Sequence, residues 1–375
     1  MTLQRRGRTW LGLAIALTWL IPGGTSVVRG ADLARYLSSD FSAALVIHPR
    51  RIGKSTLADA VKSWLPKEMA SADPVKAAIA ALARQKNLPP GMDPAKLAKL
   101  IEGKAVIRVM IFVDPMPTAD MPAAPGIIVQ FADDIDGDGI LSAISSEWQP
   151  AEANGVKYKT LKDPEPGKPD LAALVPDART LIAGLNATVV KMLAKEQGPQ
   201  PLLKQLQHAS FDNDILLEFV AEPLWAETAK GGGKPADKIL ATMGGPGLVK
   251  FAKEIKSVSI KLNFSGKTLL HAEVATDTPD RATMYAAAAR TAITDVKPKF
   301  EEMKKQPPPL LPPPAIAALS KLGDEVFDGL TVTNDGPRLD VDLAMPASLP
   351  DALKLATQIL AQMGSQMQPP AAKKP

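Results

Sequence analysis

One stretch of the chain constrains the fold more than any other: two alternating segments, a tight turn between them, and a helix that starts at a proline. Residues 257–264 and 268–275 alternate apolar and polar side chains on either side of the turn Ser265-Gly266. Such a turn joins antiparallel strands, because parallel neighbours need a crossover of a dozen or more residues. Proline is tolerated in the first turn of a helix, so a helix is predicted from Pro279 to about Val296.

The same order of elements returns later in the chain. Residues 330–333 and 338–343 are predicted strands joined by the turn Asn334–Pro337, and Pro350 opens a helix that extends to Met363. Two copies are too few for a repeat array. We therefore predict a duplicated ββα unit and no solenoid.

The remaining hydrophobic pattern predicts an α+β fold, with antiparallel sheets and helices packed on one face. The strongest strand is 105–113, an apolar run interrupted by one arginine. Other predicted strands cover 42–47, 126–132, 156–161, 180–184 and 214–221, and other predicted helices cover 54–64, 74–84, 93–100, 140–148, 188–195 and 236–243.

Segments rich in proline suggest where the chain divides. A break near residue 200 indicates an N-terminal half, 31–205, and a C-terminal half, 206–365, which contains a proline-rich linker at 306–314. The tail at 366–375 holds proline, alanine and lysine without an apolar pattern, and is predicted to be disordered.

Residues 1–30 have the composition of a signal peptide. Three arginines among the first eight residues precede the uncharged apolar run Trp10–Ile21. This run is too short to cross a hydrocarbon core of ~30 Å as a relaxed helix, so a cleaved signal is favoured over a membrane anchor. Cleavage is expected after Gly30, with Ser26 as the alternative. Export to the periplasm or surface of a bacterium follows, and membrane attachment is expected only if the signal is retained.

Export changes how the charge is interpreted. The full chain carries a net charge of +4, but residues 1–30 hold four arginines and no acidic residue. The part after residue 30 is therefore formally neutral, which argues against nucleic-acid binding. The chain has no cysteine, so disulfides, thiolate metal sites and a lipidated cysteine anchor are excluded.

The segment Gly53-Lys54-Ser55-Thr56 is similar to the end of a phosphate-binding loop. The full motif needs a glycine five residues before Gly53, where this chain has His48 followed by a stiff proline. We therefore predict no nucleotide partner and interpret Ser55 or Thr56 as a helix cap.

Three aspartates, Asp134, Asp136 and Asp138, precede Gly139 and reproduce the first half of a calcium-binding loop. Position twelve is Ser145, where such loops have a bidentate glutamate. A weak calcium site is one interpretation. The other is a solvated turn whose acidic residues lie favourably at a helix N-terminus.

The histidines show no zinc-protease spacing. His271 and Glu273 share one face of a predicted strand, and Asp340 and Asp342 share one face of another. This alternation is typical of half-buried antiparallel strands, and it gives the two aspartates no asymmetry of environment that would make one an acid and the other a base. No nucleophile elbow appears, so the chain is predicted to have no catalytic residues and not to be an enzyme.

The segment from Asp32 to Ile52, with its apolar strand and His48-Pro49-Arg50 turn, resembles uncharacterised secreted proteins of planctomycete-type bacteria. The resemblance extends through the helical region up to Pro94 and implies an envelope location, with no established activity and no site residues. We expect a non-enzymatic protein that binds an envelope protein or polymer, or has a structural role. The alternatives are a calcium-stabilised adhesion or scaffold module, and an unrecognised or degenerate hydrolase-like enzyme.

Overall fold

The computed structural model describes residues 36–38, 41–55, 57–58, 91–113, 125–161, 170–194, 200–209, 211–223, 225, 253–307 and 312–356. Its centre is one sheet of 12 strands. They are β1 (Ala43–Ile47), β2 (Val106–Val113), β3 (Pro125–Phe131), β4 (Gln149–Ala153), β5 (Val156–Leu161), β6 (Leu171–Asp177), β7 (Thr180–Leu185), β8 (Ile215–Val220), β9 (Ile255–Leu262), β10 (Thr268–Thr276), β11 (Leu330–Asp335) and β12 (Arg338–Ala344). Their order across the sheet is β11-β12-β10-β9-β8-β1-β2-β3-β7-β6-β5-β4, and every neighbouring pair is antiparallel.

Strand β1 lies in the middle of the sheet and joins its two parts. Val46 of β1 lies opposite Met110 of β2 on one side and opposite Leu216 of β8 on the other. Since β8 also pairs with β9, a single sheet passes through both predicted halves of the chain. Residue 205, where the division was predicted, lies inside a helix. The division into two halves stays a prediction.

Helices flank the sheet, and many begin at a proline. A last helical segment covers 349–356. The others are α1 (Pro49–Gly53), α2 (Pro94–Ile101), α3 (Gly137–Ile144), α4 (Asn186–Met192), α5 (Pro201–His208), α6 (Pro279–Lys305) and α7 (Pro313–Gly329).

In the N-terminal part, helices cover both faces of the sheet. Val109 and Ile111 of β2 belong to one buried cluster with residues of α2 and α3, whereas Met110 and Phe112 belong to another with residues of α4 and α5. Successive side chains of a strand point to opposite faces, so these clusters lie on opposite sides of the sheet. The α+β class and the antiparallel sheet are confirmed. The prediction that helices pack on only one face does not hold for this part, because β2 has apolar side chains on both faces and each face is covered by helices.

In the C-terminal part, α6 packs against β10, β11 and β12. Its Ala286 is fully buried and joins Val274 and Leu339 in a third cluster. The strands of this part alternate as predicted, with apolar residues on this face and polar residues on the other. Two strands followed by a helix occur twice in the described chain, but a duplication of one unit stays a prediction.

Several helices differ from the sequence prediction, and neither α1 nor α5 was predicted. α6 was expected to end near Val296, yet it continues through Pro298 to Lys305, because Phe300 packs against Phe327 of α7 with 5.4 Å between ring centroids. α7 was not predicted at all. Its N-terminus lies in the proline-rich linker, and prolines occupy its first turn, where no backbone N–H is needed.

Strands β4 and β6 were also missed. β4 is an exposed edge strand with Pro150, and β6 has an irregular register after Leu174. Residues 1–30, 74–84, 236–243 and 366–375, together with much of the helix predicted at 54–64, lie outside the described residues. Within the described chain, no helix is long and apolar enough to cross a membrane.

Candidate metal centre

Four polar residues lie close together on the polar face of β10 and β12, although those on β10 and those on β12 are far apart in sequence. His271 lies directly opposite Asp342, and Glu273 lies directly opposite Asp340. His271, Glu273 and Asp340 each offer a ligand atom, and these atoms lie within 4.8 Å of one another. We call these three residues and Asp342 the His271 cluster.

The cluster is half-buried and open to solvent ions. The side chains of His271 and Glu273 are 29% and 25% exposed, and that of Asp342 is 42% exposed. His271 Nδ1 lies 2.8 Å from Asp342 Oδ1, a hydrogen bond that fixes the ring and leaves Nε2 for another partner. Metal-ligating histidines commonly have such a carboxylate on the second ring nitrogen.

Glu273 and Asp340 face each other as like charges, which destabilises an antiparallel pair unless a cation compensates. Arg338 supplies part of the compensation, with its Nη1 3.9 Å from Glu273 Oε1. A divalent ion between the two carboxylates and the imidazole would supply the rest. One imidazole with two carboxylates is a ligand set suited to zinc and similar transition metals.

A buried carboxyl lies beside this cluster on the same face. Glu273 is opposite Ser259 of β9, which is opposite Glu218 of β8. Glu218 is 1% exposed and its Oε1 accepts a hydrogen bond of 2.7 Å from the Ser259 hydroxyl. Burial raises the pKa of Glu218 to about 7, although hydrogen bonds from Ser259 and Gln205 oppose the shift.

The predicted calcium loop has a different geometry. Asp136 caps α3 by accepting the Gly139 N–H at 2.9 Å, while Asp134 pairs with Arg179 and Asp138 pairs with Lys159, both at 2.8 Å. A Cβ on Gly139 would overlap the Asp136 carboxylate, so the cap could form only if the Asp136 side chain moved. Among the described residues, the three aspartates do not gather as the His271 cluster does. Calcium binding here stays a prediction.

Two other features of the structure lie away from the His271 cluster. Ser55 caps a helical turn by accepting the Ala58 N–H at 3.1 Å, as predicted for the segment similar to a phosphate loop. A groove of about 500 Å³ is lined by Lys96, Ser142, Trp148 and Lys159 among others. Within the described part of the chain, neither His48 nor His271 lines this groove.

Sequence reasoning missed Glu218 and Arg108, two charged residues that the fold buries. Both lie within apolar strands, and their exposed fractions are 1% and 6%. The signal was present, because a charge at an inward-facing position of an apolar strand is unusual. The face on which each would lie depended on strand pairing.

The fold and the His271 cluster define an antiparallel α+β protein with a candidate metal centre. No family model matches the chain, and no curated protein does. Among solved structures, crystal form I of TP0453 covers 90% of this chain and 98% of its own, at 9% identity and a TM-score of 0.36. A structural similarity this low does not indicate a function for the chain.

Proposed function

We propose that the chain is an exported, non-enzymatic binding protein of a bacterial envelope and that its His271 cluster binds a divalent transition metal. The observation that carries the metal proposal is the convergence of one imidazole and two carboxylates within 4.8 Å on adjacent strands. Strands hold ligands more rigidly than loops, so little ordering is needed on binding.

The surroundings of the cluster support binding over catalysis. The two carboxylates, Glu273 and Asp340, lie side by side on an open sheet face in similar environments, without the asymmetry that distinguishes a general acid from a general base. The groove described above lies elsewhere. An unrecognised or degenerate hydrolase-like enzyme therefore remains the weaker alternative.

The test is calorimetric titration of the purified protein, without a histidine tag, with zinc chloride. We expect one saturable site. H271Q, and separately the double variant E273Q/D340N, should each weaken zinc binding at least about tenfold, because each removes ligands while conserving side-chain size. Cobalt binding, followed by its visible absorption, reports whether nitrogen and oxygen ligands surround the ion.

The double variant D134N/D138N is the matched control, since it removes two exposed carboxylates from the other acidic site. It should leave zinc binding unchanged. Zinc binding that survives in H271Q and in E273Q/D340N would reject the site. A calcium-dependent rise in melting temperature that is lost in D134N/D138N would instead favour the calcium-stabilised adhesion or scaffold module.

The export proposal rests on two features of the sequence. One is the composition of residues 1–30, and the other is that the segment Asp32–Ile52 resembles secreted proteins. Fractionation of cells that express the full chain, followed by N-terminal sequencing, tests it. We expect the envelope fraction to contain a chain beginning at Ala31. A protein or polymer of the envelope is the proposed partner, and a pull-down that recovers neither above background would count against it.

A further inference from the structure

The groove of about 500 Å³ lies between two helices and one edge of the sheet. It contains Lys96 of α2, Ser142 of α3, Trp148, which precedes β4, and Lys159 of β5. Strands β4 and β5 form one end of the sheet, whereas β10 and β12 lie near the other, so the groove is remote from the His271 cluster. Ligand pockets commonly have volumes of about 300–1,000 Å³, so the groove has room for a ligand of disaccharide size.

Trp148 gives the groove an aromatic surface whose polar atom is already satisfied. Its Nε1 donates to the Leu141 carbonyl oxygen at 2.6 Å, which fixes the indole against the end of α3. The residue is half-buried and packs against the apolar cluster beneath α2 and α3. Trp148 therefore presents ring surface to the groove, and the C–H face of a sugar ring stacks well on such a surface.

The charge of the groove favours an acidic ligand. Two lysines line it, and none of the lining residues is acidic. Lys159 Nζ donates to Asp138 Oδ1 at 2.8 Å, which uses one of its three N–H donors. Lys96 is exposed and has no acidic partner among the residues that the structure describes. A carboxylate in the groove would therefore meet one uncompensated ammonium group and a second that still has donors.

The remaining lining residues favour a saccharide over a peptide. Ser142 and Ser146 are exposed in the groove, and a serine hydroxyl both donates and accepts, as sugar hydroxyls do. An extended peptide would instead add a strand to the exposed edge strand β4. Pro150 of β4 has no N–H, so this edge lacks a donor that an added strand needs.

We propose that this groove binds an acidic saccharide, a sugar chain that carries carboxylates. Trp148 would stack on one sugar ring, and Lys96 would pair with a carboxylate of the chain. Lys159 and the serine hydroxyls would bind the neighbouring sugar hydroxyls. This inference names the class of polymer that the proposed envelope-binding function needs, and it rests on that part of the proposal. It does not depend on a metal at the His271 cluster.

The test is calorimetric titration of the purified protein, in buffer with a chelator, with two acidic oligosaccharides, trigalacturonate and a hyaluronan tetrasaccharide. We expect saturable binding of at least one of them, weakening as ionic strength rises, because the charge attraction is screened by salt. Maltotriose, which is neutral, should bind at least about tenfold more weakly. Binding of neither acidic oligosaccharide would overturn the inference. Equal binding of triglutamate would show that the groove recognises charge alone, and would overturn the saccharide assignment.

Variants locate the ligand. K96Q should weaken binding of the acidic oligosaccharide about tenfold, the usual size of a lost hydrogen bond to a charged group. Lys99, exposed on the same helix but outside the groove, supplies the matched control K99Q, which should bind as the wild type does. Equal weakening in K96Q and K99Q would reject this groove as the site.

The aromatic contact is tested separately. W148A should weaken binding of the acidic oligosaccharide at least about tenfold, and W148F, which keeps a ring, should lie closer to the wild type. Thermal melting checks that each variant is folded, and if W148A is not, the comparison of K96Q with K99Q still decides. All these variants should bind zinc normally. A polymer that K96Q still recovers in a pull-down would reject the groove while leaving the envelope-binding proposal intact.

Discussion

His271 and Asp342 lie directly opposite each other on β10 and β12, and the distance from Nδ1 to Oδ1 is 2.8 Å. Their separation of 71 residues is bridged by strand pairing alone. Asp342 therefore orients a candidate ligand without needing to contact the metal. It is a positioning residue in the proposed centre.

We predict that D342N weakens zinc binding about 10- to 100-fold, the usual cost of losing a carboxylate behind a ligating histidine. The number of zinc ions bound should stay at one, because all three ligands remain. Calorimetry measures both quantities. Thr331, opposite Asp342 on the exposed side of β11, supplies the control variant T331V, which should bind zinc as the wild type does. Equal affinity in D342N would reject the positioning role.

Glu218 should make the protein less stable as pH rises. Its folded pKa, about 7, lies above the unfolded value of 4.5, so its contribution is complete below pH 4.5 and is lost as pH rises through 7. The loss amounts to at most about 3 kcal/mol. We predict that E218Q, which stays neutral, is more stable than the wild type at pH 8 and comparable to it at pH 4.5. Urea unfolding across this range measures the difference, and parallel curves would contradict it.

His48 should act in the opposite direction. Burial, followed by the charges of Arg108 and Arg51, lowers its folded pKa to about 4, below the unfolded value of 6.5, so its contribution is complete above pH 6.5 and is lost as pH falls through 4. H48Q should therefore remove up to about 3 kcal/mol of acid destabilisation between these pH values. In the wild type, the loss of stability that Glu218 causes as pH rises is offset by the gain that His48 causes. Urea unfolding of H48Q from pH 4 to 7 should show stability falling with rising pH, and a flat profile would contradict the assignment.

Calcium at the loop of Asp134, Asp136 and Asp138 would compete with two ion pairs. Arg179 and Lys159 hold Asp134 and Asp138, and all four side chains are more than a third exposed. We predict that K159Q/R179Q responds more strongly to calcium than the wild type, because two carboxylates are released. Melting with calcium and with a chelator measures the response. An equally small response in the wild type and in K159Q/R179Q would show that calcium does not bind at this loop.

Gly323 lies where α7 meets the Phe300 ring of α6. A Cβ at this position would overlap the Phe300 ring, so the ring or one of the two helices would have to shift. G323A should therefore destabilise the protein by about 1–3 kcal/mol, as expected for overpacking. Chemical unfolding measures the loss. The double variant F300L/G323A should recover part of it, and additive effects of the two changes would show that this contact is not the cause.

Local sequence determined much of the secondary structure. Alternation and turn residues predicted most of the strands, including β10 and β12, and Asp93 with Pro94 marked the start of α2, where Asp93 accepts the Lys96 N–H at 2.9 Å. These features depend on neighbours within a few residues, which the sequence displays directly. The α+β class and antiparallel pairing followed from them.

The sites depended on tertiary structure. His271 and Asp342 each appeared as a polar residue on a half-exposed strand, and only the pairing of β10 with β12 brings them together. Likewise, Lys96 of α2 and Lys159 of β5 line one groove because α2 packs against α3, whose Asp138 pairs with Lys159. Register between distant strands is set by the packing of the whole sheet, so the sequence displays the alternation of each strand but not the partner that each side chain meets.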